Sequence, residues 1–236
     1  MPKFFVISDV HSFYTPMKEA LDAAGFNPDD ENHWLISCGD NFDRGNESVE
    51  VLRYLRQLQR KILIKGNHEW LLEECCSRGY PELHDYSNGT VKTIKQLGHG
   101  DSFEARADYA WNRVRSLIKD MCFFYETQKY IFCHSWIPDG TEWRYASERE
   151  WNQAMWLNPF ERADRDRNRG LNKVIVHGHW HASAGWAGRE GTPEFGEGAC
   201  FEPFYGEGHI AIDACTVHTH KVNCLVLEDE WLAQSQ

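Results

Sequence analysis

Five short motifs contain the residues of this chain that could bind metal ions. In chain order they read Ser8-Asp9-Val10-His11, Gly39-Asp40-Asn41-Phe42-Asp43-Arg44-Gly45, Gly66-Asn67-His68-Glu69, Cys133-His134 and His177-Gly178-His179-Trp180-His181. Imidazole, carboxylate and amide groups together suit manganese, iron or zinc better than calcium, which prefers oxygen ligands alone. Two such ions about 3.5 to 4 Å apart need one bridging carboxylate and could hydrolyse a phosphate ester.

An apolar run precedes each of the five motifs. The runs cover 4–7, 34–36, 62–64, 130–132 and 174–176, and each has the length and composition of a buried strand. Each motif therefore falls on the turn that follows a strand. Open α/β sheets place their ligand sites at the C-terminal ends of strands, because the rigid strands hold the converging loops. The sequence thus predicts an α/β fold with parallel pairing and a metal site at those strand ends.

The five motifs together resemble the calcineurin-like metallophosphoesterase superfamily, whose pattern is DxH, GDxxDR, GNHE, a lone histidine and GHxH. All five are present in that order. The GNHE form, the DRG of the second motif and the late strand at 210–213 are similar to the phosphoprotein (serine/threonine) phosphatase branch and its small bacterial and phage members. The resemblance runs from residue 9 to about 228 and is weak at 74–119. It implies a single domain over residues 1–236, folded as a four-layer α-β-β-α sandwich of two mixed sheets flanked by helices.

The resemblance also implies a ligand for each position of a binuclear metal centre. It assigns the first ion to Asp9, His11 and His181, the bridging position to Asp40, and the second ion to Asn67, His134 and His179. Manganese is the favoured metal, with iron, zinc or nickel as alternatives. Many phosphoprotein phosphatases have a threonine at the position of His181, so the family supports His179 more strongly than His181.

Catalytic roles follow from the same resemblance. A hydroxide that bridges the two ions would attack the phosphoryl group, since two positive charges lower the pKa of bound water. His68 would act as the general acid that protonates the leaving alkoxide, and Asp43 would orient its imidazole. Arg44 would bind the phosphoryl oxygens through its planar guanidinium, although a surface ion pair is the alternative role for this residue.

Two departures from the family pattern concern the substrate. A bulky indole, Trp136, stands where relatives have a small residue after the lone histidine, so it is expected near the entrance to the site. Asn158 stands where similar chains have a second phosphate-binding arginine, and Arg162 or Arg144 could compensate. The expected substrate contacts are therefore Arg44, Asn158, Arg162 and Trp136.

Helices are predicted between the strands. Thr15 can cap the first one, Pro16 fits its first turn and Gly25 ends it. Apolar residues at helical spacing predict further helices at 47–59, from residue 69 onward and at 104–119. The segment at about 75–120 is expected to be a helical cap inserted between the third and fourth motifs. Such a cap either shapes the pocket or only stabilises the domain.

Three later segments have a less regular pattern. The stretch 159–172 contains Arg165, Arg167 and Arg169 besides Arg162, which indicates either a solvated ion-pair surface or contacts to substrate phosphates. The glycine-rich loop 185–208 follows the last motif, and its length is typical of a lid or of a long surface loop. Two alternating strands between 209 and 227, joined at 217–221, are expected to form a hairpin that completes the second sheet.

Composition and charge exclude several classes of protein. A chain of 236 residues with 42% hydrophobic content can bury the core of one domain. The net charge of -11 argues against binding to duplex nucleic acid, whose protein partners are normally basic. A membrane partner is not expected, since no run is long enough to span a bilayer and no signal-peptide pattern is found. Eight scattered cysteines without a CxxC pair indicate reduced thiols, a cytoplasmic location and no zinc ribbon.

Three functions are compatible with these patterns. The expected one is a metal-dependent phosphatase that hydrolyses a phosphate monoester, on either a phosphoprotein or a small molecule. The alternative is a hydrolase of dinucleoside polyphosphates or phosphodiesters, since tryptophans near the site loops could stack on a nucleobase. A catalytically silent binding module is the third, but such modules typically lose ligands and none is missing here. The expected partner is accordingly a phosphorylated substrate, either protein or nucleotide-like.

Overall fold

A computed structural model of the chain describes residues 1–166 and 170–232. Arg167 and Arg169 of the arginine-rich stretch lie outside the described residues. The strands are β1 (Lys3–Ile7), β2 (His33–Ser37), β3 (Lys61–Leu63), β4 (Phe124–Glu126), β5 (Tyr130–Cys133), β6 (Val174–His181), β7 (Phe204–Gly206), β8 (His209–Asp213) and β9 (Leu225–Glu228). The helices are α1 (Tyr14–Ala23), α2 (Ser48–Gln57), α3 (Asn67–Arg78), α4 (Leu83–Asn88), α5 (Thr90–Leu97), α6 (Phe103–Lys119), α7 (Glu148–Ala154), α8 (Pro159–Asp166), α9 (Ala182–Glu190) and α10 (Thr216–Thr219).

The first sheet has the strand order β3-β2-β1-β9. Its first three strands are parallel, with Phe4 beside Trp34 and Leu35 beside Lys61, as the sequence predicted. Helices α1 and α2 make the two crossover connections. Because parallel strands end at the same edge, this sheet brings the first three motifs together.

The second sheet has the order β4-β5-β6-β8-β7, with β5, β6 and β8 parallel and both edge strands antiparallel. The predicted hairpin at 209–227 is wrong. Strand β8 belongs to this sheet, whereas β9 pairs antiparallel with β1 of the first sheet, with Val226 opposite Phe5. At that edge Leu225 and Leu227 join the apolar cluster between the sheets, which explains why β9 pairs with β1.

The two sheets and their helices form four layers. One face of the first sheet packs against α1, α2 and α6 through alternate residues such as Phe5 and Leu35. Its other face packs against the second sheet, and Phe4 and Val176 share that buried cluster. Trp151 of α7 packs on the outer face of the second sheet. This architecture confirms the predicted α-β-β-α sandwich of two mixed sheets.

Helix α1 begins and ends for different reasons. It begins at Tyr14, so Thr15 lies in the first turn and does not cap the helix as expected. The Thr15 hydroxyl instead donates to Glu47 Oε1 at 2.5 Å, because the start of α2 brings that carboxylate alongside. The end is as predicted, since Gly25 has a φ of 82°, which favours glycine.

The segment 75–120 contains the end of α3 and helices α4, α5 and α6. The Ser102 hydroxyl accepts a hydrogen bond from Ala105 N at 3.1 Å and caps α6. Helix α6 packs against α3 and α5, and its buried face extends the core beside the first sheet. Helix α5 also packs against α2 and so lies next to the loop of the second motif.

Two general features bear on the cellular setting. No helix within the described residues is long and apolar enough to cross a membrane. All eight cysteines lie within the described residues and are free thiols. The cytoplasmic location stays a prediction.

Candidate metal centre

The loops that follow the strands of both sheets meet in one cavity of about 350 Å³. Among the described residues, those that line it are Asp9, His11, Asp40, Arg44, Asn67, His68, His179, Trp180, His181, Glu194, Asp213, Cys215, Thr216 and Val217. Six of the seven expected metal ligands are on that wall, and His134 contacts three of them from below the surface. The sequence motifs are thus brought to one place.

Backbone strain is concentrated in these loops. Among the described non-glycine residues with a positive φ, all but His220 lie in the segments around the cavity: Asp9, His11, Ser12, Asp40, Asp43, Arg44, Cys215 and, in the irregular end of β6, His179. Each such conformation costs about 1–3 kcal/mol and persists only where the surrounding structure holds it. The orientation of these side chains is therefore achieved at a cost in folding stability.

Asn67, His134 and His179 form one group of candidate ligands. The Nδ1 of His134 lies 2.8 Å from the carbonyl oxygen of Cys38, which can only accept, so Nδ1 carries the ring proton. The Nε2 lone pair of His134 then faces Asn67 Oδ1 at 2.8 Å and His179 Nδ1 at 3.2 Å. An imidazole nitrogen of each histidine and the amide oxygen of Asn67 thus converge on one point, and these are groups that can bind a metal ion together.

His11, His68 and Asp9 surround the second candidate position. His11 Nδ1 donates to the carbonyl oxygen of Phe42 at 3.2 Å, which leaves its Nε2 unprotonated. That Nε2 lies 3.9 Å from Asp9 Oδ1. The other oxygen of Asp9 accepts from the Ser8 hydroxyl at 2.5 Å and from His179 N at 2.9 Å. These bonds fix the carboxylate with Oδ1 directed to the imidazole.

Asp40 lies between the two groups. Its Oδ2 is 3.9 Å from His11 Nε2, 3.9 Å from His68 Nε2 and 3.4 Å from His134 Nε2, while Oδ1 accepts from His68 N at 2.9 Å. Ligand atoms of Asp40 with His11 and His68, and of Asp40 with His134 and His179, fall within 4.8 Å of one another. This is the arrangement that a bridging carboxylate requires.

The protonation states of Asp40, His179 and His11 also suit metal binding, whereas burial raises the pKa of Asp9. Burial raises the pKa of Asp40, but the surrounding histidines, His134 first, outweigh it and hold the pKa well below its usual range. Burial lowers the pKa of His179 to about 3 and that of His11 well below its usual value. A carboxylate and neutral imidazoles are the forms that bind metals.

Glu69 holds two of the loops in place. Its carboxylate is buried and accepts from the backbone N–H groups of Gly66 at 2.9 Å, Asp40 at 2.9 Å and Asn41 at 2.7 Å. Burial raises the pKa of Glu69, as does Asp40, against these three hydrogen bonds. One side chain therefore ties the third motif to the second.

His68 is held by a chain of hydrogen bonds. Its Nδ1 donates to Asp43 Oδ2 at 2.9 Å, and the same oxygen accepts from the Thr90 hydroxyl of α5 at 2.7 Å. Burial lowers the pKa of His68, but Asp40 and Asp43 outweigh it and raise the pKa. On the other side of the ring, Arg44 Nη2 lies 3.2 Å from Nε2. Since a guanidinium only donates, Nε2 accepts in this arrangement.

His181 lies at the outer side of the cavity. Its Nε2 is 2.7 Å from Glu194 Oε1, a residue of the loop between α9 and β7. Phe195 of the same loop packs against the imidazole, with ring centroids 4.6 Å apart. His181 thus shares the cavity with the other candidate ligands while its Nε2 is bonded to a carboxylate. The assignment of His181 to the first ion stays a prediction.

Comparison with protein families is consistent with this geometry. A family model described as calcineurin-like phosphoesterase matches residues 2–221. The chain belongs to the calcineurin-like phosphoesterase family. Metal-dependent hydrolysis of a phosphate ester is therefore its activity, and the clusters around Asp40 provide groups that could bind the metals.

Curated relatives of this phosphoesterase fall into two classes. Serine/threonine-protein phosphatase 2 of Escherichia coli (strain K12) is 28% identical over 74% of this chain and 78% of its own length. The protein of the same name from Salmonella typhimurium is 42% identical over 73% and 72%. A symmetrical bis(5'-nucleosyl)-tetraphosphatase of Buchnera aphidicola is 32% identical over 62% of this chain but half of its own length.

Solved structures share the fold at low identity. A serine/threonine phosphatase from Saccharomyces cerevisiae superposes with a TM-score of 0.59 at 12% identity, covering 100% of this chain and 82% of the yeast chain. A cold-active protein tyrosine phosphatase gives 0.58 at 18% identity, covering 97% and 74%. The likeness supports the architecture of this phosphoesterase and leaves its substrate open.

The structure does not bring Asn158 or Trp136 of the expected substrate contacts to the cavity. The side-chain oxygen of Asn158, Oδ1, accepts from Phe160 N at 3.1 Å, because Asn158 lies directly before the start of α8. Trp136 is buried, and its indole N–H donates to Asp166 Oδ2 at 2.9 Å. Both polar groups are therefore used by hydrogen bonds to residues of α8.

The two compensating arginines are also engaged elsewhere. The Arg162 guanidinium is buried and binds Asp139 and Asp166. Arg144 pairs with Glu126 Oε1 at 2.7 Å and lies over the ring of Trp143. Arg44 is therefore the one guanidinium among the described residues that line the cavity.

Several residues of the site were not expected from the sequence. Asp213 ends β8 and lines the cavity; burial and then Asp9 raise its pKa well above the usual value. It follows an apolar run as the motif residues do, so that pattern could have found it. No local pattern identifies Thr90 or Glu194. The partner of Thr90, Asp43, is distant in the sequence, and Glu194 is separated from its partner His181 by helix α9.

Proposed function

We propose that this phosphoesterase is a phosphatase that hydrolyses phosphate monoesters. The observation that carries the proposal is the hydrogen-bonded set of Asp43, His68 and Arg44 beside the candidate metal ligands. A monoester requires a group that binds the terminal phosphoryl oxygens and a group that protonates the leaving oxygen. Arg44 and His68 supply these two groups at 3.2 Å from each other.

Asp40 would bridge two divalent ions, manganese being our proposal. His134, His179 and Asn67 would hold one ion, and His11 and Asp9 would hold the other, with His181 added if it leaves Glu194. Once bound, the ions would lower the pKa of coordinated water and stabilise charge on the phosphoryl group. The convergence of His134 Nε2, Asn67 Oδ1 and His179 Nδ1 on one point supports a cation at that position.

Arg44 and His68 would act in sequence on the substrate. The guanidinium donates to His68 Nε2 in the present arrangement and would turn to the phosphoryl oxygens when substrate enters. Without the guanidinium, Nε2 can hold a proton, which Asp43 and Asp40 favour. Nε2 would then donate that proton to the leaving oxygen, while the bond from Nδ1 to Asp43 keeps the ring in place.

A second candidate function is the hydrolysis of dinucleoside polyphosphates. The match to the Buchnera tetraphosphatase favours it. However, a chain of four phosphates presents several negative charges, and Arg44 is the one guanidinium among the described residues on the cavity wall. We therefore propose the monoester, either phosphoprotein or small molecule, as the substrate.

The test compares p-nitrophenyl phosphate with bis-p-nitrophenyl phosphate, using protein stripped of metal and resupplied with manganese. The expected result is a preference for the monoester that requires manganese and is lost in His68→Asn. The matched control is His99→Asn, which changes an exposed histidine two residues after the end of α5 that does not line the cavity. Preference for the diester, or full activity of His68→Asn on all monoesters, would contradict the proposal.

A further inference from the structure

Glu194 places a carboxylate at the mouth of the catalytic cavity. It lies in the loop between α9 and β7, lines the cavity, and its side chain retains 44% exposure while it accepts from His181 Nε2 at 2.7 Å. No motif includes this residue, and the phosphatase mechanism above does not use it. Its exposure means that a ligand in the cavity can meet the carboxylate directly.

The loop that bears Glu194 is fastened at several points. Phe195 packs on His181, and Phe201 packs on His218 with ring centroids 5.9 Å apart. Phe201 O accepts from Asn223 Nδ2 at 2.7 Å, and Glu202 O accepts from Trp186 Nε1 at 2.9 Å. These contacts hold the loop against the end of β6, helices α9 and α10 and the segment before β9, so the position of the carboxylate is defined by packing.

The charges around the cavity are unevenly distributed between the two sheets. Loops of the first sheet supply Arg44, whereas the described lining residues from the second sheet include neither lysine nor arginine. Those residues carry two carboxyl groups, Asp213 and Glu194. Asp213 is buried, and burial favours its neutral form, while Glu194 faces solvent. Glu194 is therefore the exposed acidic group among the described lining residues from the second sheet.

We propose that Glu194 is a specificity-determining residue that favours phosphorylated peptides with a basic residue next to the phosphorylated one. The inference rests on the proposed phosphatase function. A cationic side chain beside the phosphoryl group gains a favourable interaction with the carboxylate, while an acidic neighbour or a polyphosphate chain is repelled. Because the site is a partly solvated cleft, this effect is graded and depends on salt.

The experiment uses two phosphoserine peptides that differ only at the one residue that follows the phosphoserine, arginine in one and aspartate in the other. The values of kcat/KM are measured for the manganese-loaded wild-type protein, for Glu194→Gln and for Glu194→Lys. Glu197→Gln, an exposed glutamate three residues further along the loop, is the matched control. p-Nitrophenyl phosphate and metal content are measured for every protein.

We expect the wild-type protein to prefer the arginine peptide by about tenfold, from a difference of two unit charges near one carboxylate in a solvated cleft. Glu194→Gln should reduce this ratio about fivefold, Glu194→Lys should invert it, and Glu197→Gln should leave it unchanged. Raising the salt from about 0.1 M to about 1 M should shrink the wild-type ratio, since the Debye length falls from about 10 Å to about 3 Å.

Each other outcome has a distinct meaning. No turnover of p-nitrophenyl phosphate by the wild-type protein would refute the phosphatase function and this inference with it. Turnover of that ester with an unchanged peptide ratio in Glu194→Gln, or with neither peptide hydrolysed, would refute the inference alone. An equal loss on both peptides together with lost metal would show that Glu194 acts by positioning His181, which also overturns a role in specificity. Faster hydrolysis of a dinucleoside tetraphosphate than of either peptide would do the same.

Discussion

Replacing Asp43 by asparagine tests how His68 works. Asp43 and His68 are buried, and Asp43 Oδ2 accepts from both His68 Nδ1 and Thr90 Oγ1. Since both partners donate, the amide oxygen of Asp43→Asn would take the place of Oδ2. The amide nitrogen would then lie where Oδ1 lies now, an atom without a hydrogen-bond partner among the described residues. Asp43→Asn therefore keeps the shape of the side chain and removes its negative charge.

The magnitude follows from the type of hydrogen bond that is changed. A bond to a charged group contributes about 1.5–3 kcal/mol and a neutral one about 0.5–1.5 kcal/mol. Asp43→Asn should therefore weaken the stabilisation of protonated His68 by about 1.4 kcal/mol, which is about tenfold in rate. Removal of the proton donor in His68→Asn should cost more, about 100-fold to 10,000-fold.

The assay compares phenyl phosphate with p-nitrophenyl phosphate in the presence of manganese. Phenolate is the poorer leaving group, so its departure depends more on protonation by His68. We expect kcat on phenyl phosphate to fall by about tenfold in Asp43→Asn, and kcat on p-nitrophenyl phosphate to fall by less. The control is Asp108→Asn, which changes an exposed carboxylate on α6.

Equal losses on both esters would refute this reasoning, because a proton donor must discriminate between leaving groups. A loss in Asp43→Asn as large as that in His68→Asn would also contradict it. In that case Asp43 would contribute more than its charge, and the expected geometry of the asparagine would be wrong. Circular dichroism and metal content must match the wild-type protein for either comparison to hold.

Three further predictions concern stability. Glu69→Gln places an amide N–H against backbone N–H groups that now donate to the carboxylate. The free energy of unfolding measured in urea should therefore fall by about 2 kcal/mol or more. An unchanged urea midpoint would contradict this prediction. Manganese at about 100 times its dissociation constant should raise the free energy of unfolding of the wild-type protein by about 2.7 kcal/mol. The Asp40→Asn variant should lose most of that gain. An equal manganese-induced rise in the thermal midpoint of the wild-type protein and the variant would rule out Asp40 as a ligand. Burial lowers the pKa of His209 to about 4, so between about pH 6.5 and pH 4 the unfolded chain binds this proton more readily and stability falls as the pH decreases. His209→Gln should remove about 2 kcal/mol of the stability difference between pH 7.5 and pH 5, and an identical difference in both proteins would refute the assignment.

Much of the site was predictable because its ligands are encoded locally. Residues such as Asp9, Asp40 and His134 each follow an apolar run that forms a buried strand. The chemistry of metal binding limits the residue types, and parallel strands that end at one edge bring the ligands together. The fold class and the positions of five strands follow from the same patterns. A strand that is buried on both faces is recognised from a short run of consecutive apolar residues.

Other features required the complete chain. The edge that β9 joins depends on where Leu225 and Leu227 can be buried, and β1 offers that edge although it lies more than two hundred residues earlier. Asn158 looks like a substitute for a phosphate ligand in sequence, but the start of α8 uses its side chain. Which partner a strand or a side chain binds is decided by how the whole chain packs. A short sequence motif does not contain that information.

The sequence by itself determined the chemistry: which side chains are available for metal ions, in what order, and at the ends of which strands. Tertiary structure decided what surrounds that chemistry, namely the bond from Thr90 to Asp43, the engagement of Arg162 by Asp139 and the presence of Glu194 at the cavity mouth. The physical reason is that ligand types and strand patterns depend on adjacent residues, whereas hydrogen bonds and charges between distant segments exist only after the layers have packed.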